Sequence, residues 1–271
     1  MAKVFVFVPA FGRQITTTTF ETTHELMSAL AAKGIQAHIG SFSWPDIEEV
    51  RNVVLSYWYD AMPDFTHLLF IDADMGFPAQ MVLDMLTFGE PMVGAIYRKK
   101  CAEIDWVASG GLESPDFRTG FIEVRGLGMG CFLIRRDAIA PMIEKFPDKI
   151  YPYIAVPDFR WEGPQRTLAF FDQMRVPEGK VSEDISFCRR YREAGGKVWA
   201  TTAYTTVHEG PFPFVGNFAK HQSAKAKQDA VSDRVADEMT LDDLEINKDR
   251  LGPYLYDRYK KRITERLQAA E

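Results

Sequence analysis

What this 271-residue sequence lacks argues against several classes of protein. Its three cysteines, Cys101, Cys131 and Cys188, lie far apart, whereas a disulfide framework or a zinc knuckle needs closely spaced pairs. No apolar run approaches the roughly 20 residues of a membrane-spanning helix, and the N-terminus lacks a signal-peptide cleavage site. The net charge of -6 gives no strong signal for nucleic-acid binding, which depends on clustered Lys and Arg. We therefore expect a globular cytoplasmic protein.

Apolar runs alternate with helical patterns along the first hundred residues. The predicted strands cover residues 4–8, 35–42, 67–71 and 93–97, and the predicted helices cover residues 16–33, a stretch from Asp46, and 78–88. Further along, residues 126–134 read as a turn feeding a strand, 182–194 as a helix, and 197–200 as a short strand. This alternation predicts an α/β fold with a mixed, mostly parallel central sheet flanked by helices.

Two stretches and the C-terminal tail depart from this alternation. Residues 101–125 contain several glycines and predict a loop with short strands, whereas residues 147–181 are rich in proline and aromatic residues and predict a long irregular surface segment. From residue 225 onward, 21 of 47 residues are charged, which predicts an exposed helical extension. The predicted organisation is therefore one domain over residues 1–224 and a C-terminal helical tail over 225–271. The tail could pack on the core or join two copies in a homo-oligomer.

Three segments follow predicted strands and should meet at one edge of the sheet. They are Pro9–Arg13, Asp72–Met75 and Tyr97–Lys100. Ligands of open α/β sheets bind at the carboxyl ends of the strands. Their convergence predicts a binding site there.

The strongest local motif is HLLFIDADMGF, residues 67–77. Residues i and i+2 of an extended segment face the same side, so Asp72 and Asp74 could share one cation. Carboxylate oxygens without nearby His or Cys suit Mg²⁺ or Mn²⁺, ions that often retain substrate phosphates as ligands. The alternative is a solvated, Asp-rich turn.

Two further features could carry chemistry. Ser182 precedes Glu183 and Asp184 at the start of a predicted helix. The serine could be the N-cap, and the helix dipole could stabilise the two negative charges in the first turn. One of these carboxylates could instead serve as a general base. His208 follows a short strand and could be a third metal ligand, although such histidines are more often structural.

Basic residues and glycines lie between these motifs. Arg13, Arg51 and Arg98 could neutralise a leaving diphosphate, whereas Lys99 or Lys100 singly is better explained as a surface residue. The glycines of GLGMG, residues 126–130, lack the following helix of a dinucleotide loop and the Lys-Ser/Thr of a Walker motif. We interpret them as permitting close approach of the backbone to an acceptor.

Taken in order over residues 3–210, these motifs resemble the GT-A class of nucleotide-sugar glycosyltransferases, nearest to its bacterial family 2-like enzymes. The family's base-binding strand is similar to VFVFVPAFG, its Arg-Asn helix to RNVV, and its Asp-x-Asp metal motif to IDADMGF. GLGMGCFLIRRDAI resembles the family's acceptor-side strand and helix. SEDISFCRRYREAGGKVWA resembles its acidic catalytic helix, and TTVHEG resembles the late strand that ends in a metal-binding histidine.

The resemblance implies a GT-A, Rossmann-like fold and a role for each matched residue. Asp72, Asp74 and His208 would bind Mn²⁺ or Mg²⁺, and Asp184 would be the general base with Glu183 beside it. The donor, a UDP- or GDP-linked sugar, would be bound by a larger set: Pro9, Phe11, Arg13, Arg51, Asp72, Ala73, Asp74 and Arg98. The acceptor hydroxyl could belong to a glycan, a lipid-linked sugar, a protein or a modified base.

Several alternatives remain open. Transfer is expected to invert the anomeric centre, but retaining families of the mannan-synthesis type share the Asp-x-Asp and late histidine. A sugar nucleotidyltransferase would carry a Gly-rich, Arg/Lys-bearing signature after the first strand, which PAFGRQ matches poorly. A non-catalytic nucleotide- or glycan-binding module is the third alternative.

Overall fold

The computed structural model describes residues 2–110, 120–153, 165–177, 179–246 and 248–269. The chain forms two compact units, residues 1–218 and 219–271. Parts of the predicted loops 101–125 and 147–181 lie outside the described residues.

The described residues form eight α-helices and sixteen β-strands. The helices are α1 (Thr17–Ala32), α2 (Ile47–Ala61), α3 (Ala79–Phe88), α4 (Ile139–Lys145), α5 (Glu183–Glu193), α6 (Phe218–Glu238), α7 (Leu241–Ile246) and α8 (Lys248–Gln268). The first eight strands are β1 (Lys3–Pro9), β2 (Gln36–Phe42), β3 (His67–Ile71), β4 (Met75–Gly76), β5 (Met92–Ala95), β6 (Ala108–Ser109), β7 (Phe121–Val124) and β8 (Gly126–Leu127). The others are β9 (Cys131–Arg135), β10 (Ile150–Pro152), β11 (Arg166–Leu168), β12 (Arg175–Val176), β13 (Gly179–Lys180), β14 (Val198–Thr201), β15 (Thr205–Glu209) and β16 (Pro213–Asn217).

The central sheet confirms the predicted fold class. Within the described residues it has seven strands in the order β2-β1-β3-β9-β5-β14-β7. Strands β1, β2, β3, β5 and β14 run in one direction, while β7 and β9 run against them. The sheet is therefore mixed and mostly parallel. Strand β9 lies antiparallel between β3 and β5, and this central place was not predicted.

Both faces of the sheet are covered, as the continuous apolar strands predict. In β1, Phe5 and Phe7 pack with α2 and α5 in one core cluster, while Val4, Val6 and Val8 pack with α1 and α3 in another. Alternate side chains of a strand point to opposite faces, so β1 contributes to both clusters. This double cover leaves the carboxyl ends of β1 and β3 as the exposed place for polar chemistry.

Local signals place the helices that surround this edge. The Asp46 side chain accepts hydrogen bonds from the backbone N–H groups of Glu48 and Glu49, which fixes the start of α2. Helix α3 begins after Pro78 and ends at Gly89, whose φ of 75° is the left-handed conformation that glycine tolerates. These starts and ends agree with the sequence prediction within a residue or two.

The second unit is helical. It is formed by α7, α8 and most of α6, and its small core contains Ala236, Leu244, Tyr259 and Ile263. In the described part of the chain, every helix is too short or too polar to cross a membrane.

We expect the partly buried side chain of His67 to make the stability of the fold depend on pH. Burial first, and then the charge of Arg135, lowers the pKa of His67 from 6.5 to about 4. The unfolded chain therefore binds a proton between these pH values that the folded chain does not, so stability falls as pH decreases from 6.5 toward 4. We expect His67 to contribute about 2 kcal/mol to the stability lost between pH 7 and 4.5.

Urea unfolding of the wild type, His67→Gln and His24→Gln at both pH values measures this contribution. His67→Gln should lose less stability on acidification than the other two proteins. An equal loss in all three would contradict the assignment.

Candidate active site

A cavity of about 440 Å³ opens at the predicted edge of the sheet. Its wall combines the ends of β1, β2 and β3 with α2, α5 and β15. It is lined by Pro9, Ala10, Phe11, Gln14, Phe42, Trp44, Pro45, Ile47, Val50, Arg51, Asp72, Ala73, Asp74, Glu183 and His208. The structure thus brings together eight of the residues predicted for the site. The volume of the cavity is that of a small-molecule site.

The Asp72–Asp74 segment is a turn, and not the extended strand on which the shared-cation prediction rested. Asp72 N donates to Gly130 O at 3.1 Å, and Met75 N donates to Asp72 O at 3.2 Å, which closes the turn. Thr16 N, at the start of α1, donates to Ala73 O at 2.8 Å. The same-side argument was therefore wrong, and in this structure the two carboxylates contact different cations.

Asp72 is bound by Arg51, which is buried on α2. Arg51 Nη2 donates to Asp72 Oδ1 at 2.7 Å, and Nη1 donates to Glu183 Oε1. Its side chain is only 4% exposed. Burial alone would lower the pKa of Arg51, but the carboxylates of Asp72 and Glu183 leave that pKa raised above its ordinary value. Arg51 therefore ties together α2, the end of β3 and the start of α5.

Asp74 has a different set of partners. Lys100 Nζ donates to Asp74 Oδ2, and His208 Nε2 lies 3.6 Å from Asp74 Oδ1. Asp74 Oδ1 is buried and has no hydrogen-bond partner among the described residues. The pairing of His208 in β15 with Met75 in β4, together with the 2.9 Å contact of His208 Nδ1 with Arg98 O, fixes the imidazole beside Asp74.

The tautomer of His208 follows from this contact. A carbonyl oxygen can only accept, so Nδ1 must carry the hydrogen that it donates to Arg98 O. In the neutral ring the lone pair is then on Nε2, which faces Asp74 Oδ1. Nε2 and Asp74 Oδ1 are therefore two possible ligand atoms that face each other at 3.6 Å.

Tyr97 is a buried residue that the sequence did not single out by itself. Its hydroxyl accepts from Gly130 N at 3.2 Å, and its ring meets His208 edge to face at 5.0 Å. A Cβ on Gly130 would lie 2.6 Å from Tyr97 Cζ, and one on Gly128 would overlap the hydroxyl. These two glycines therefore admit the Tyr97 ring, and close approach of the backbone to an acceptor stays a prediction. Burial, and then the charges of Asp72 and Asp184, raise the pKa of Tyr97.

The two acids at the start of α5 differ in position. Glu183 lines the cavity and binds Arg51. Asp184 is not among the described residues that line the cavity, and its Oδ1 accepts from Ser182 Oγ and from Ile185 N, the latter at 2.7 Å. Ser182 occupies the N-cap position, but its hydroxyl contacts Asp184 and makes no capping hydrogen bond.

Two predicted donor-binding arginines are not among the described cavity residues. Arg98 Nη2 donates to the carbonyl oxygens of Cys101 and Glu103, and its guanidinium lies 5.8 Å from the Phe214 ring centroid. The backbone of Arg13 has a φ of 60°, which is rare for a residue other than glycine, and its N–H donates to Ser43 Oγ. Arg98 therefore holds its own loop, and Arg13 shapes the turn after β1.

Two residues that line the cavity, and one that contacts a lining residue, were not predicted for the site. Phe42 and Trp44 stack with centroids 6.4 Å apart and form an apolar part of the wall. Phe42 ends β2 and Trp44 follows it, so the strand-end argument could have found both. Lys100 was interpreted as a surface residue, which agrees with its exposure, but its contact with Asp74 was not predicted.

The site offers only a partial set of metal ligands. In the part of the chain that the structure describes, no three His, Cys, Asp or Glu side chains converge closely enough to hold a metal. Mg²⁺ and Mn²⁺ are commonly bound through one or two carboxylates with substrate phosphates completing the ligands. Asp74 Oδ1, which no described residue hydrogen-bonds, lies beside His208 Nε2, and this pair fits such a shared site.

No protein-family model and no curated protein matches this sequence. A solved structure of A197 from STIV is 19% identical, with 78% of this chain and 86% of that chain covered and a TM-score of 0.42. A Drosophila β-1,4-galactosyltransferase 7 mutant, in complex with manganese, UDP-Gal and xylobiose, is 13% identical, with coverages of 80% and 71% and a TM-score of 0.39.

A third solved structure is a glycosyltransferase involved in the glycosylation of the major capsid of PBCV-1. It is 10% identical, with 57% of this chain and 71% of that chain covered and a TM-score of 0.30. All three TM-scores lie below 0.5.

Proposed function

We propose that this protein is a glycosyltransferase that binds a UDP- or GDP-linked sugar with Mn²⁺ or Mg²⁺ and transfers the sugar to an acceptor hydroxyl. The observation that carries the proposal is the buried Asp74 Oδ1, which has no hydrogen-bond partner in the described part of the chain and lies beside His208 Nε2. This pair lies in the wall of a cavity that is also lined by apolar and aromatic side chains. A nucleoside diphosphate sugar matches this combination of charged and apolar lining residues, since it joins a planar base to a charged diphosphate.

Asp74 and His208 would hold the metal, and Asp72 is available to it through the oxygen that Arg51 does not bind. When bound, the metal would neutralise charge that develops on the leaving diphosphate. The apolar wall, with Phe11, Phe42 and Trp44, would accommodate the base. Positioning of donor and acceptor would then supply much of the acceleration.

Asp184 is proposed as the general base. As the acceptor oxygen bonds to the anomeric carbon and the bond to the diphosphate breaks, the hydroxyl proton passes to the Asp184 carboxylate. The donor phosphates would bind in the cavity, and the acceptor would approach from outside it. Asp184, which lies outside the described lining residues, would therefore be on the side from which the acceptor approaches. Attack on the face opposite the leaving group inverts the anomeric centre, and NMR of the product anomer distinguishes this from retention.

Substitution of Asp74 tests the proposal. Asp74→Asn removes the charge that would hold the metal, so transfer or hydrolysis of a UDP- or GDP-sugar should fall by about 100-fold or more and lose its dependence on Mn²⁺. Asp64→Asn is the matched control, because Asp64 is 83% exposed and paired only weakly with Lys3 at 3.8 Å. If Asp74→Asn keeps the rate and the metal dependence of the wild type, the proposal fails.

A further inference from the structure

Lys100 contacts the carboxylate on which the proposed metal site depends. Its Nζ donates to Asp74 Oδ2, while the other oxygen of Asp74 faces His208. The side chains of Lys100 and Asp74 are 34% and 32% exposed, so the pair lies at the rim of the cavity and can open without unfolding the chain.

The neighbouring lysine behaves differently. Lys99 Nζ donates to Asp105 Oδ2 at 2.6 Å, and both side chains are more than half exposed. Lys100 instead runs against the turn of the β15–β16 hairpin, where a Cβ on Gly210 would lie 3.4 Å from Lys100 Cδ. This packing lies beside the contact of the ammonium group with Asp74.

The charges of the cavity explain why the contact matters. Asp72 and Glu183 share the buried guanidinium of Arg51, so their charge is already partly balanced. Asp74 is balanced by Lys100. A divalent cation and an ammonium group at one carboxylate repel each other, so a metal that binds Asp74 must displace Lys100 or weaken its contact.

The geometry points to Lys100 as an exchangeable counter-ion of the metal site. It neutralises Asp74 before the donor binds, gives the carboxylate up to the metal, and then contacts the donor diphosphate beside it. Lysine suits this exchange because its ammonium is a compact charge on a flexible stem and binds phosphate without a fixed geometry. This inference rests on the proposed function, since it needs the metal and the diphosphate in the same cavity.

Binding of Mn²⁺ alone gives the first test. Mn²⁺ titrations followed by electron paramagnetic resonance, without nucleotide, compare the wild type with Lys100→Gln and Lys99→Gln. Lys100→Gln should bind Mn²⁺ about three- to five-fold more tightly, because its competitor for Asp74 is gone. Lys99→Gln removes the same charge one residue away and should change the affinity by less than about two-fold.

Binding of the diphosphate gives the second test. At saturating Mn²⁺, calorimetry with UDP and with GDP should show weaker binding to Lys100→Gln than to the wild type or Lys99→Gln. The opposite movement of the two affinities is the signature of exchange, because a merely structural role of Lys100 would weaken both. Unchanged or weaker Mn²⁺ binding by Lys100→Gln would overturn the inference, as would diphosphate binding as tight as that of the wild type.

The same titrations separate this inference from the proposed function. If Asp74→Asn abolishes Mn²⁺ binding while Lys100→Gln behaves like Lys99→Gln, the metal site stands and the exchange is wrong. If the wild type binds no Mn²⁺ with or without a nucleoside diphosphate, the proposed function fails and the exchange fails with it.

Discussion

Arg51→Met is expected to lower the free energy of unfolding by about 3 to 5 kcal/mol. The Arg51 side chain is 4% exposed and is the guanidinium partner of both Asp72 and Glu183. Methionine fills much of the same volume but leaves two carboxylates, 26% and 14% exposed, without their shared cation. The loss comes mainly from the cost of burying unpaired charge.

Urea unfolding at pH 7 measures this effect, with Arg166→Met as the control. Arg166 joins two distant segments in the same way, through a bidentate contact with Asp60, but its side chain is 37% exposed. We expect this control to lose about 1 kcal/mol or less. Adding Glu183→Gln to Arg51→Met should recover part of the loss, because it removes one of the two unpaired charges. Equal losses for the two arginine variants would show that Arg51 does not hold the site together.

Asp184→Asn is expected to reduce kcat for sugar transfer by about 100- to 10,000-fold while leaving Mn²⁺-dependent diphosphate binding unchanged. Asparagine retains the shape of aspartate and can still accept hydrogen bonds from Ser182 Oγ and Ile185 N. It cannot take the proton of the acceptor hydroxyl. The melting temperature should therefore stay close to that of the wild type.

Glu183→Gln is the matched comparison one residue earlier. It removes a charged partner from Arg51, so it should lower the melting temperature and disturb the position of Asp72. If Asp184→Asn keeps full transfer activity and Glu183→Gln loses only kcat, Glu183 and not Asp184 is the general base.

Most of the fold could be predicted from the sequence because its core strands carry continuous apolar runs. The prediction for β3 matches the observed His67–Ile71, and β1 and β2 differ from their predictions by one residue or so at either end. The central place of β9 could not be predicted in this way. The apolar pattern of CFLIR indicates burial, but strand order depends on long-range pairing that local periodicity does not encode.

The location of the site could be predicted from the rule that ligands bind at strand ends. The contacts between its charged side chains could not. The segments after β1 and β3 meet in one cavity, as this rule predicts, whereas no residue of the third predicted segment, Tyr97–Lys100, is among its described lining residues. Arg51, however, binds Glu183 across 132 positions of sequence, and Lys100 reaches Asp74. Such partners depend on side-chain packing in three dimensions. Tyr97 illustrates the same limit, since its fit against Gly128 and Gly130 becomes evident only when the two segments meet.

The most direct test of the central claim is a thermal-shift titration of UDP and GDP, each with and without Mn²⁺, on the wild type and Asp74→Asn. Ligand binding to the folded state raises the melting temperature by mass action. We predict that one of the two diphosphates stabilises the wild type only when Mn²⁺ is present, and that Asp74→Asn loses this stabilisation. Stabilisation that is independent of Mn²⁺, or that persists in Asp74→Asn, would contradict a metal–diphosphate site at Asp74.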